Sequence, residues 1–219
     1  MVLKMEAKKE HGLLFQPDMA RSNVAGLKTM TRRAINPQPP GWADGATRAF
    51  VANDAFRDWF GRNGKTQRFK CPWAVGDLIY QKERWRVGSQ DRNTIWYDDG
   101  NVKVLRDTAE NLAGKFLGDK NKSPLFMYAW AARFWADIVS IKVERVRDIS
   151  AEDCIKEGIQ ERHGGFMVGY TLPEYGPQPV GIVHKTPVAA YKELYNGING
   201  PGSFDRDWGW VIEYRRVER

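Results

Sequence analysis

Alternating apolar positions mark two long strands in the second half of the chain. Every second residue is apolar across Val139–Val143, and the residues between them are polar. Trp210, Ile212 and Tyr214 recur at the same spacing close to the last residue. A period of two residues is typical of a strand with one buried face. The pattern therefore predicts a long half-buried strand that ends near Asp148, followed much later by a closing strand.

Shorter apolar and β-branched runs predict further strands. Gly12–Phe15 is a short apolar run, and Thr29–Ile35 alternates with basic residues. Leu78–Trp85 follows a tight-turn signal and has the composition of a strand. An Asp-Gly pair separates Ile95–Tyr97 from Val102–Val104, which predicts a hairpin.

Helix-starting and helix-ending residues predict three helices. The first begins at Pro17 and ends at Gly26, because proline suits the first helical position and glycine suits the end. The second is capped by Ser150, turns Ile155 inward and ends at Gly158. The third begins at Thr186-Pro187 and ends at two Asn-Gly pairs. Its apolar stripe consists of four residues: Val188, Tyr191, Tyr195 and Ile198.

Segments rich in glycine, proline and polar residues separate these elements. Three of them, 37–66, 88–122 and 160–185, are long enough to be insertions. Within them, Asp54–Phe60 predicts a helical turn, whereas 118–124 and 160–185 predict loops. We expect one domain over 1–219 of the α+β class: a small, mostly antiparallel β-barrel flanked by short helices and decorated by Gly/Pro-rich insertions.

The charge of the chain narrows the choice of partner. The 219 residues carry a formal net charge of +7, which favours an acidic partner and nucleic acid first. The basic residues are dispersed, so no basic tail is present. No apolar run approaches membrane-spanning length, and Met1–Glu10 is polar and lysine-rich without the apolar core of a signal peptide. We therefore expect a cytoplasmic protein with no membrane partner.

The metal-ligating residue types are sparse. The two cysteines are far apart and form no CxxC pair, and the three histidines share no ligand spacing. We expect neither a metal nor another cofactor. Two unpaired cysteines also suit a reducing compartment.

The stretch from Gly26 to Arg33 carries the densest candidate chemistry. It places one lysine, two threonines and two arginines directly after a predicted helix end. Clustered cations suit phosphate or another anion, and the hydroxyl groups beside them both donate and accept hydrogen bonds. The alternative interpretation is a solvated strand edge whose charges prevent edge-to-edge pairing.

Several short motifs follow one another in a recognisable order. The helix-ending Gly26 and the x-Lys-x-x-Thr-x-Arg pattern after it come first, and Gly76-Asp77-Leu78 precedes a predicted strand. This order resembles the ASCH domain of the PUA-like superfamily, most closely its phage and prophage members, over nearly the whole chain from residue 12. At two positions where those members carry tryptophan, this sequence has Tyr195 and Phe204. Further matching positions are Asn36–Pro40, Cys71-Pro72, Glu83, Trp85, Met127, Trp130, Ala131, Arg133 and Asp148–Asp153.

The resemblance implies a PUA-like barrel and a ligand that is nucleic acid or a modified nucleoside. Small bacterial ASCH proteins are amidohydrolases that remove the acetyl group from N4-acetylcytidine with a lysine, a threonine and a glutamate. Carried over by motif, these are Lys28, Thr31 and Glu157, and the match of Glu157 rests on spacing within the predicted second helix. The resemblance also implies the cytoplasm of a bacterium or of a phage-infected host cell.

Amide hydrolysis sets the roles that these three residues can take. The reaction requires a nucleophile, a proton acceptor and stabilisation of a tetrahedral oxyanion. Lys28 can act as a base if a pocket lowers its pKa, or stabilise the oxyanion as an ammonium. Glu157 can activate water or orient Lys28, and Thr31 can donate to the oxyanion or act as the nucleophile. The alternative is a Lys28–Glu157 ion pair that ties a helix to the barrel, with Thr31 as an ordinary strand residue.

Three arginines are candidates for contacts with a ligand or nucleic acid. Arg32, Arg33 and Arg133 can clamp phosphates, because the planar guanidinium donates two parallel hydrogen bonds to such groups. The alternative for each is a solvated charge at the edge of the barrel.

One further acid and two tryptophans complete the candidate binding residues. Glu83, on the strand Leu78–Trp85, is a second acid, for which a surface ion pair is the favoured role. Trp85 and Trp130 can stack on a base. The alternative is that they close a core, which we favour for Trp130.

Two functions of different classes therefore remain open. The first is an enzyme that hydrolyses an acyl group from a modified pyrimidine nucleoside. The second is a non-catalytic PUA-like module that binds RNA or modified DNA. Some ASCH proteins are described as ribonucleases, but that function is a weaker alternative here because no histidine pair is evident. The sequence leaves the oligomeric state undetermined.

Overall fold

Pairing between strands that are distant in the sequence organises the chain. The structure, a computed structural model, describes residues 8–40, 45–51, 54–60, 66–88, 94–104, 118–162, 164–168 and 183–219. The strands are β1 (Glu10–Leu14), β2 (Met30–Ala34), β3 (Gly45–Val51), β4 (Asp54–Phe60), β5 (Thr66–Lys70), β6 (Leu78–Lys82), β7 (Trp85–Val87), β8 (Thr94–Tyr97), β9 (Val102–Val104), β10 (Gly118–Lys122), β11 (Trp135–Arg145), β12 (Ile159–Arg162), β13 (Gly165–Val168) and β14 (Trp208–Val217). The helices are α1 (Pro17–Val24), α2 (Ala151–Lys156), α3 (Pro187–Asn199) and α4 (Ser203–Arg206), with 3-10 turns at Pro124–Phe126, Ala129–Ala131 and Val146–Asp148.

The central sheet has five strands in the order β1-β6-β11-β14-β2. Only β1 and β6 run parallel within it, and the β11–β14 pair is the longest. Smaller sheets form from β10-β7-β8-β9, from β3-β4-β5 and from the β12-β13 hairpin. The protein is therefore α+β and mostly sheet. The described hydrogen bonds leave β1 and β2 as sheet edges, so the predicted closed barrel is not confirmed.

Three hydrophobic clusters hold these layers together. The largest lies on the central sheet and includes Ile79, Phe134 and Ile212. A second surrounds Trp85 beneath the β7–β9 strands. The third packs α2, α3 and α4 together, with Cys154 at its centre. No described helix is long and apolar enough to cross a membrane.

Local signals in the sequence predicted most of these elements. The first strand, the first helix and the strand after Gly26 are confirmed as β1, α1 and β2. The hairpin with the Asp-Gly turn is confirmed as β8 and β9. Ser150 caps α2 by accepting a hydrogen bond from the Asp153 N–H, and Thr186 caps α3 in the same way through Ala189. The closing strand is confirmed as β14.

Three predictions inside the proposed insertions are wrong. Asp54–Phe60 is a strand rather than a helical turn, because it pairs with β3 on one side and β5 on the other. Gly118–Lys122 is a strand rather than a loop, because it pairs with β7. The start of the 160–185 segment belongs to the β12-β13 hairpin. The remaining parts of the insertions, 41–44, 52–53, 61–65, 89–93, 105–117, 163 and 169–182, lie outside the described residues, as does 1–7.

Three side chains point differently from the prediction. Ile155 is 43% exposed, and its neighbour Cys154 takes the buried position on α2. Ile198, at the end of the predicted stripe, is also exposed. Val139 is exposed because the β11–β14 register shifts between Ile138 and Ser140. At such a shift, the regular alternation of inward-facing and outward-facing side chains is interrupted.

Candidate functional site

A cavity of about 630 Å³ opens beside the edge strand β2. Its walls come from the end of β1, the first turn of α1, β2, the residue after α2 and the buried face of α3. The opposite wall contains residues 83–84, 98–99, 124–125 and 133. The cavity thus collects side chains from segments that are far apart in the sequence.

Two main-chain hydrogen bonds place Lys28 in this cavity. Gly26 has a positive φ of 74°, which turns the chain sharply after α1. The N–H groups of Leu27 and Lys28 then both donate to the Ser22 carbonyl, at 2.9 and 3.2 Å. This turn directs the Lys28 side chain inward from the start of β2.

Glu157 comes to the same place from the end of α2. The Thr29 N–H donates to the Lys156 carbonyl at 2.9 Å, which ties the start of β2 to the end of that helix. Gly158 follows with a φ of 98°, and a Cβ there would lie 3.4 Å from the Ser22 Cβ. The sharp turn at Gly158 therefore lets α1, β2 and α2 meet closely around Glu157.

Lys28 and Glu157 form a buried ion pair. The Lys28 Nζ donates to Glu157 Oε2 at 2.6 Å and to the Glu157 carbonyl at 2.7 Å. The two side chains are only 2% and 4% exposed. Burial lowers the pKa of Lys28, although the Glu157 carboxylate opposes that shift. The structure therefore brings together two of the three residues implied by the resemblance. This contact agrees with both the catalytic interpretation and the ion-pair interpretation.

Thr31 completes this group on the cavity wall. It lies on β2 opposite Ile212 of β14 and is buried. Its side chain lines the cavity together with Lys28 and Glu157. All three residues assigned by motif thus face one enclosed space.

Arg32 lies deeper than the sequence analysis expected. Its guanidinium is fully buried and contacts Glu144 at 3.2 Å, Asp153 at 2.8 Å and Glu157 at 3.4 Å. The alternative of a solvated edge charge is therefore wrong for this residue. Because three carboxylates contact its two terminal nitrogens, the arrangement argues for a role in holding Glu157 rather than for a phosphate contact.

Arg33 differs from Arg32 in having no carboxylate partner among the described residues. Its Nη2 donates to the Leu14 carbonyl at 2.7 Å, and its guanidinium lies 4.8 Å from the centre of the Phe15 ring. Burial lowers the pKa of this guanidinium. The side chain spans the gap between the edge strands β1 and β2, which no described main-chain bond joins.

The opposite wall contains a second charged group, centred on Arg133. Its guanidinium contacts Glu83 and Asp99, each at 2.7 Å, and covers the Tyr97 ring at 4.3 Å. Glu83 is buried and lies between β6 and β7, so the favoured surface ion pair on a strand is wrong. Sequence reasoning missed Asp99, because its Asp-Gly turn was interpreted only as a hairpin signal.

A chain of buried side-chain hydrogen bonds leads from β14 to Glu83 on the cavity wall. Tyr214 Oη donates to Asn23 Oδ1 at 2.6 Å, and Asn23 Nδ2 donates to Gln81 Oε1 at 2.9 Å. Gln81 Nε2 then donates to Glu83 Oε1 at 2.9 Å. Sequence reasoning missed Asn23 and Gln81, although a polar residue on an apolar face was a usable signal.

The two tryptophans have different surroundings. Trp85 is 1% exposed and lies within a hydrophobic cluster, which argues for a core role and against stacking on a base. Trp130 is half-buried and packs edge-to-face on Trp85, with ring centres 5.6 Å apart. The favoured core role of Trp130 agrees with this packing.

Two tyrosines of α3 also line the cavity, although the sequence analysis interpreted them only as a helical core stripe. Tyr191 and Tyr195 are buried, and burial raises the pKa of both phenols. Both therefore stay protonated at neutral pH and can donate hydrogen bonds. The signal that they face a cavity, rather than only a core, is absent from the sequence pattern.

Comparison of this chain with known protein families, with curated proteins and with solved structures found no match. Within the described part of the chain, no group of three or more His, Cys, Asp or Glu side chains is arranged to hold a metal ion.

Proposed function

We propose that the protein is an amidohydrolase that removes an acyl group from N4 of a modified cytidine. The supporting observation is that Lys28, Thr31 and Glu157 line one cavity, although 129 residues separate Lys28 from Glu157. The resemblance to ASCH amidohydrolases assigns the same three residues. The cavity volume of about 630 Å³ lies within the usual range for small-molecule sites, about 300–1,000 Å³.

The proposed reaction is the addition of water to the acyl carbonyl carbon, followed by cleavage of its bond to N4. Glu157 accepts a proton from the water. The Lys28 ammonium gives a proton to the leaving N4 amine, which is favoured because burial makes it a better proton donor than an exposed lysine. Neutral Lys28 then takes the proton from Glu157 along their 2.6 Å hydrogen bond, which restores both groups. The products are a carboxylate, cytidine and one released proton.

The tetrahedral intermediate carries a negative oxygen that requires hydrogen-bond donors. In the proposal the Thr31 hydroxyl and the Tyr191 phenol donate to it, since both line the cavity. Arg32 holds Glu157 Oε1 at 3.4 Å, while Lys28 holds Oε2. Arg32 and Lys28 thus fix the position of the Glu157 carboxylate, which is the proton acceptor.

The experiment is incubation with N4-acetylcytidine and chromatography of the released cytidine. Glu157→Gln and Lys28→Met should each lower kcat/KM by about 10²–10⁴-fold, the usual contribution of a proton-transfer group. Thr31→Val should lower it by about 10²–10³-fold, as for an oxyanion donor. Lys156→Met is the matched control, because Lys156 is a neighbouring exposed lysine that does not line the cavity.

Two results would refute the proposal for this substrate. One is the absence of turnover by the wild-type protein. The other is turnover that is unchanged in Lys28→Met while that variant retains the wild-type circular dichroism spectrum.

A non-catalytic nucleic-acid-binding module is the second candidate. The observation that favours it is Arg33 at the cavity wall, which has no carboxylate partner among the described residues, together with the net charge of +7. In this case affinity for single-stranded RNA or modified DNA should fall steeply with added salt, without any turnover. No binding at low salt would exclude this candidate.

The finer structural expectations belong to the same proposal. We infer that the curved central sheet corresponds to a PUA-like barrel whose last gap, between β1 and β2, is spanned by the Arg33 side chain. We also infer that the protein acts in the cytoplasm of a bacterium or phage-infected cell. Subcellular fractionation tests the location, and an experimental structure tests the closure of the sheet.

A further inference from the structure

The cations that line the cavity differ in whether they have an acidic partner. Six of the lining side chains that the structure describes are cationic. Five of the six cations have a carboxylate within ion-pair distance. These pairs are Arg21–Asp18, Lys28–Glu157, Arg32–Asp153, Arg84–Asp98 and Arg133–Glu83.

Arg33 is the lining cation that has no such partner within the described residues. Its Nη2 donates to a neutral acceptor, the Leu14 carbonyl, at 2.7 Å. Its Nε is buried and has no hydrogen-bond acceptor. The carboxylate that acts on it electrostatically is Glu157, whose two oxygens already accept from Lys28 and Arg32. Arg32 Nε is orphaned in the same way, but the Arg32 guanidinium has carboxylate partners. The Arg33 guanidinium has none among the described residues, which leaves its charge available to an anionic ligand.

The first turn of α1 lies beside Arg33 and also faces the cavity. Gln16 and Pro17 line the cavity, and Phe15, immediately before them, lies under the Arg33 guanidinium. Gln16 makes no side-chain cap hydrogen bond, and no other described side chain is seen to accept from the first N–H groups of this eight-residue helix. A helix N-terminus without a side-chain cap favours an anion. Asp18 lies in the same turn, and its negative charge would repel an anion. The ion pair between Asp18 and Arg21 offsets that charge.

We propose that Arg33 and the first turn of α1 form a subsite for a phosphate group, so that the substrate is a nucleotide rather than a free nucleoside. This proposal rests on the proposed function for the base that enters the cavity. A phosphate supplies the anionic partner that the Arg33 guanidinium lacks among the described residues, and guanidinium–phosphate pairs are among the stronger charge-assisted hydrogen bonds. The same chemistry fits a terminal monoester or a diester within a chain, which the experiment distinguishes.

The experiment is isothermal titration of cytidine, cytidine 5′-monophosphate and a short single-stranded oligocytidine into the full chain at low salt. The wild-type protein should bind the monophosphate at least about tenfold more tightly than cytidine, as for one charge-assisted contact. In Arg33→Gln this preference should fall to less than about twofold with cytidine affinity unchanged, and Arg33→Lys should retain part of it. Arg84→Gln is the matched control, since Arg84 lines the same cavity but pairs with Asp98, away from the first turn of α1.

Each outcome decides the proposal. Equal affinities for cytidine and its monophosphate in the wild-type protein overturn it, as does a preference that survives in Arg33→Gln. The absence of measurable binding by all three ligands overturns it as well. A preference that depends on Arg33 supports it even if N4-acetylcytidine is never deacetylated, in which case only the proposed function fails. Tighter binding of the oligocytidine than of the monophosphate identifies a diester in a chain, and the reverse identifies a monoester.

Discussion

Replacing Glu157 by glutamine tests whether the buried pair with Lys28 is an ion pair that the fold must stabilise. The variant keeps the shape of the side chain but removes the negative charge between Lys28 and Arg32. Arg32 retains the carboxylates of Glu144 and Asp153. Among the described residues, Lys28 retains only neutral acceptors, the main-chain carbonyl of residue 157 and the oxygen of the new amide. Its ammonium therefore becomes a buried charge without a counter-ion.

The loss of unfolding free energy depends on whether Lys28 stays charged in the folded variant or releases its proton. Keeping the buried charge typically costs about 3–5 kcal/mol of unfolding free energy. Releasing the proton at about pH 7.5 costs about 4 kcal/mol, at about 1.36 kcal/mol per unit below the ordinary lysine pKa of about 10.4. We therefore expect a loss of roughly 3–4 kcal/mol at that pH.

The loss should depend on pH in a defined direction. Burial already lowers the pKa of Lys28 in the wild-type protein, and removal of the carboxylate lowers it further. Below the ordinary lysine pKa, the unfolded variant then binds more protons than the folded variant, so its stability rises with pH. At about pH 9 proton release costs only about 2 kcal/mol, and the loss should shrink to about that value.

Urea unfolding followed by circular dichroism at both pH values measures these losses. Glu152→Gln is the control, because Glu152 is exposed and pairs with Lys156 on the same helix. It should change stability by less than about 0.5 kcal/mol. In a Lys28→Met background the pH dependence of Glu157→Gln should disappear. A loss below about 1 kcal/mol, or one that is equal at both pH values, would refute the reasoning.

Three further predictions concern stability. Gly158→Ala should cost about 1–2 kcal/mol of unfolding free energy because of its positive φ. Gly197→Ala, in α3 with open space around the new Cβ, should instead stabilise the protein by up to about 1 kcal/mol. Equal effects of the two variants in urea unfolding would contradict this. Arg133→Met should cost about 3 kcal/mol, since it removes the cation that contacts the buried Glu83 carboxylate at 2.7 Å, and a thermal melt unchanged from wild type would show that solvent reaches this carboxylate. Tyr195→Phe should leave Tm unchanged or raise it, because the buried hydroxyl has no hydrogen-bond partner among the described residues; a clear drop in Tm would mean that the hydroxyl is bonded.

Local signals explain why much of the secondary structure was predictable. Caps such as Ser150 and Thr186 act on N–H groups three residues away, so the sequence alone contains the interacting groups. The same holds for Gly26, whose positive φ ends a helix. Asp54–Phe60 was mispredicted because its conformation depends on two partner strands, and the residues that form them lie outside the segment. Val139 was misplaced because a register shift is a property of a strand pair.

The candidate site divides in the same way. The motif from Gly26 to Arg33 predicted a charged cluster, and the resemblance assigned Lys28, Thr31 and Glu157. The sequence did not predict that Arg32 is buried among acids while Arg33, one residue later, has no acidic partner among the described residues. That difference arises because successive residues of a strand point to opposite faces, and the packing of β11 and α2 supplies carboxylates to Arg32.

By itself, the sequence determined the positions of most strands and helices, the basic net charge and the residue types available for chemistry. Each of these depends on periodicity, capping or counting, which need no distant partner. The tertiary structure alone decided that Lys28 meets Glu157 across 129 residues and that Tyr214 bonds Asn23 across 191. It also decided which cation at the cavity remains unpaired. Such contacts depend on how the elements pack. A side chain gains or lacks a partner only when helices and strands that are distant in the sequence come together around it.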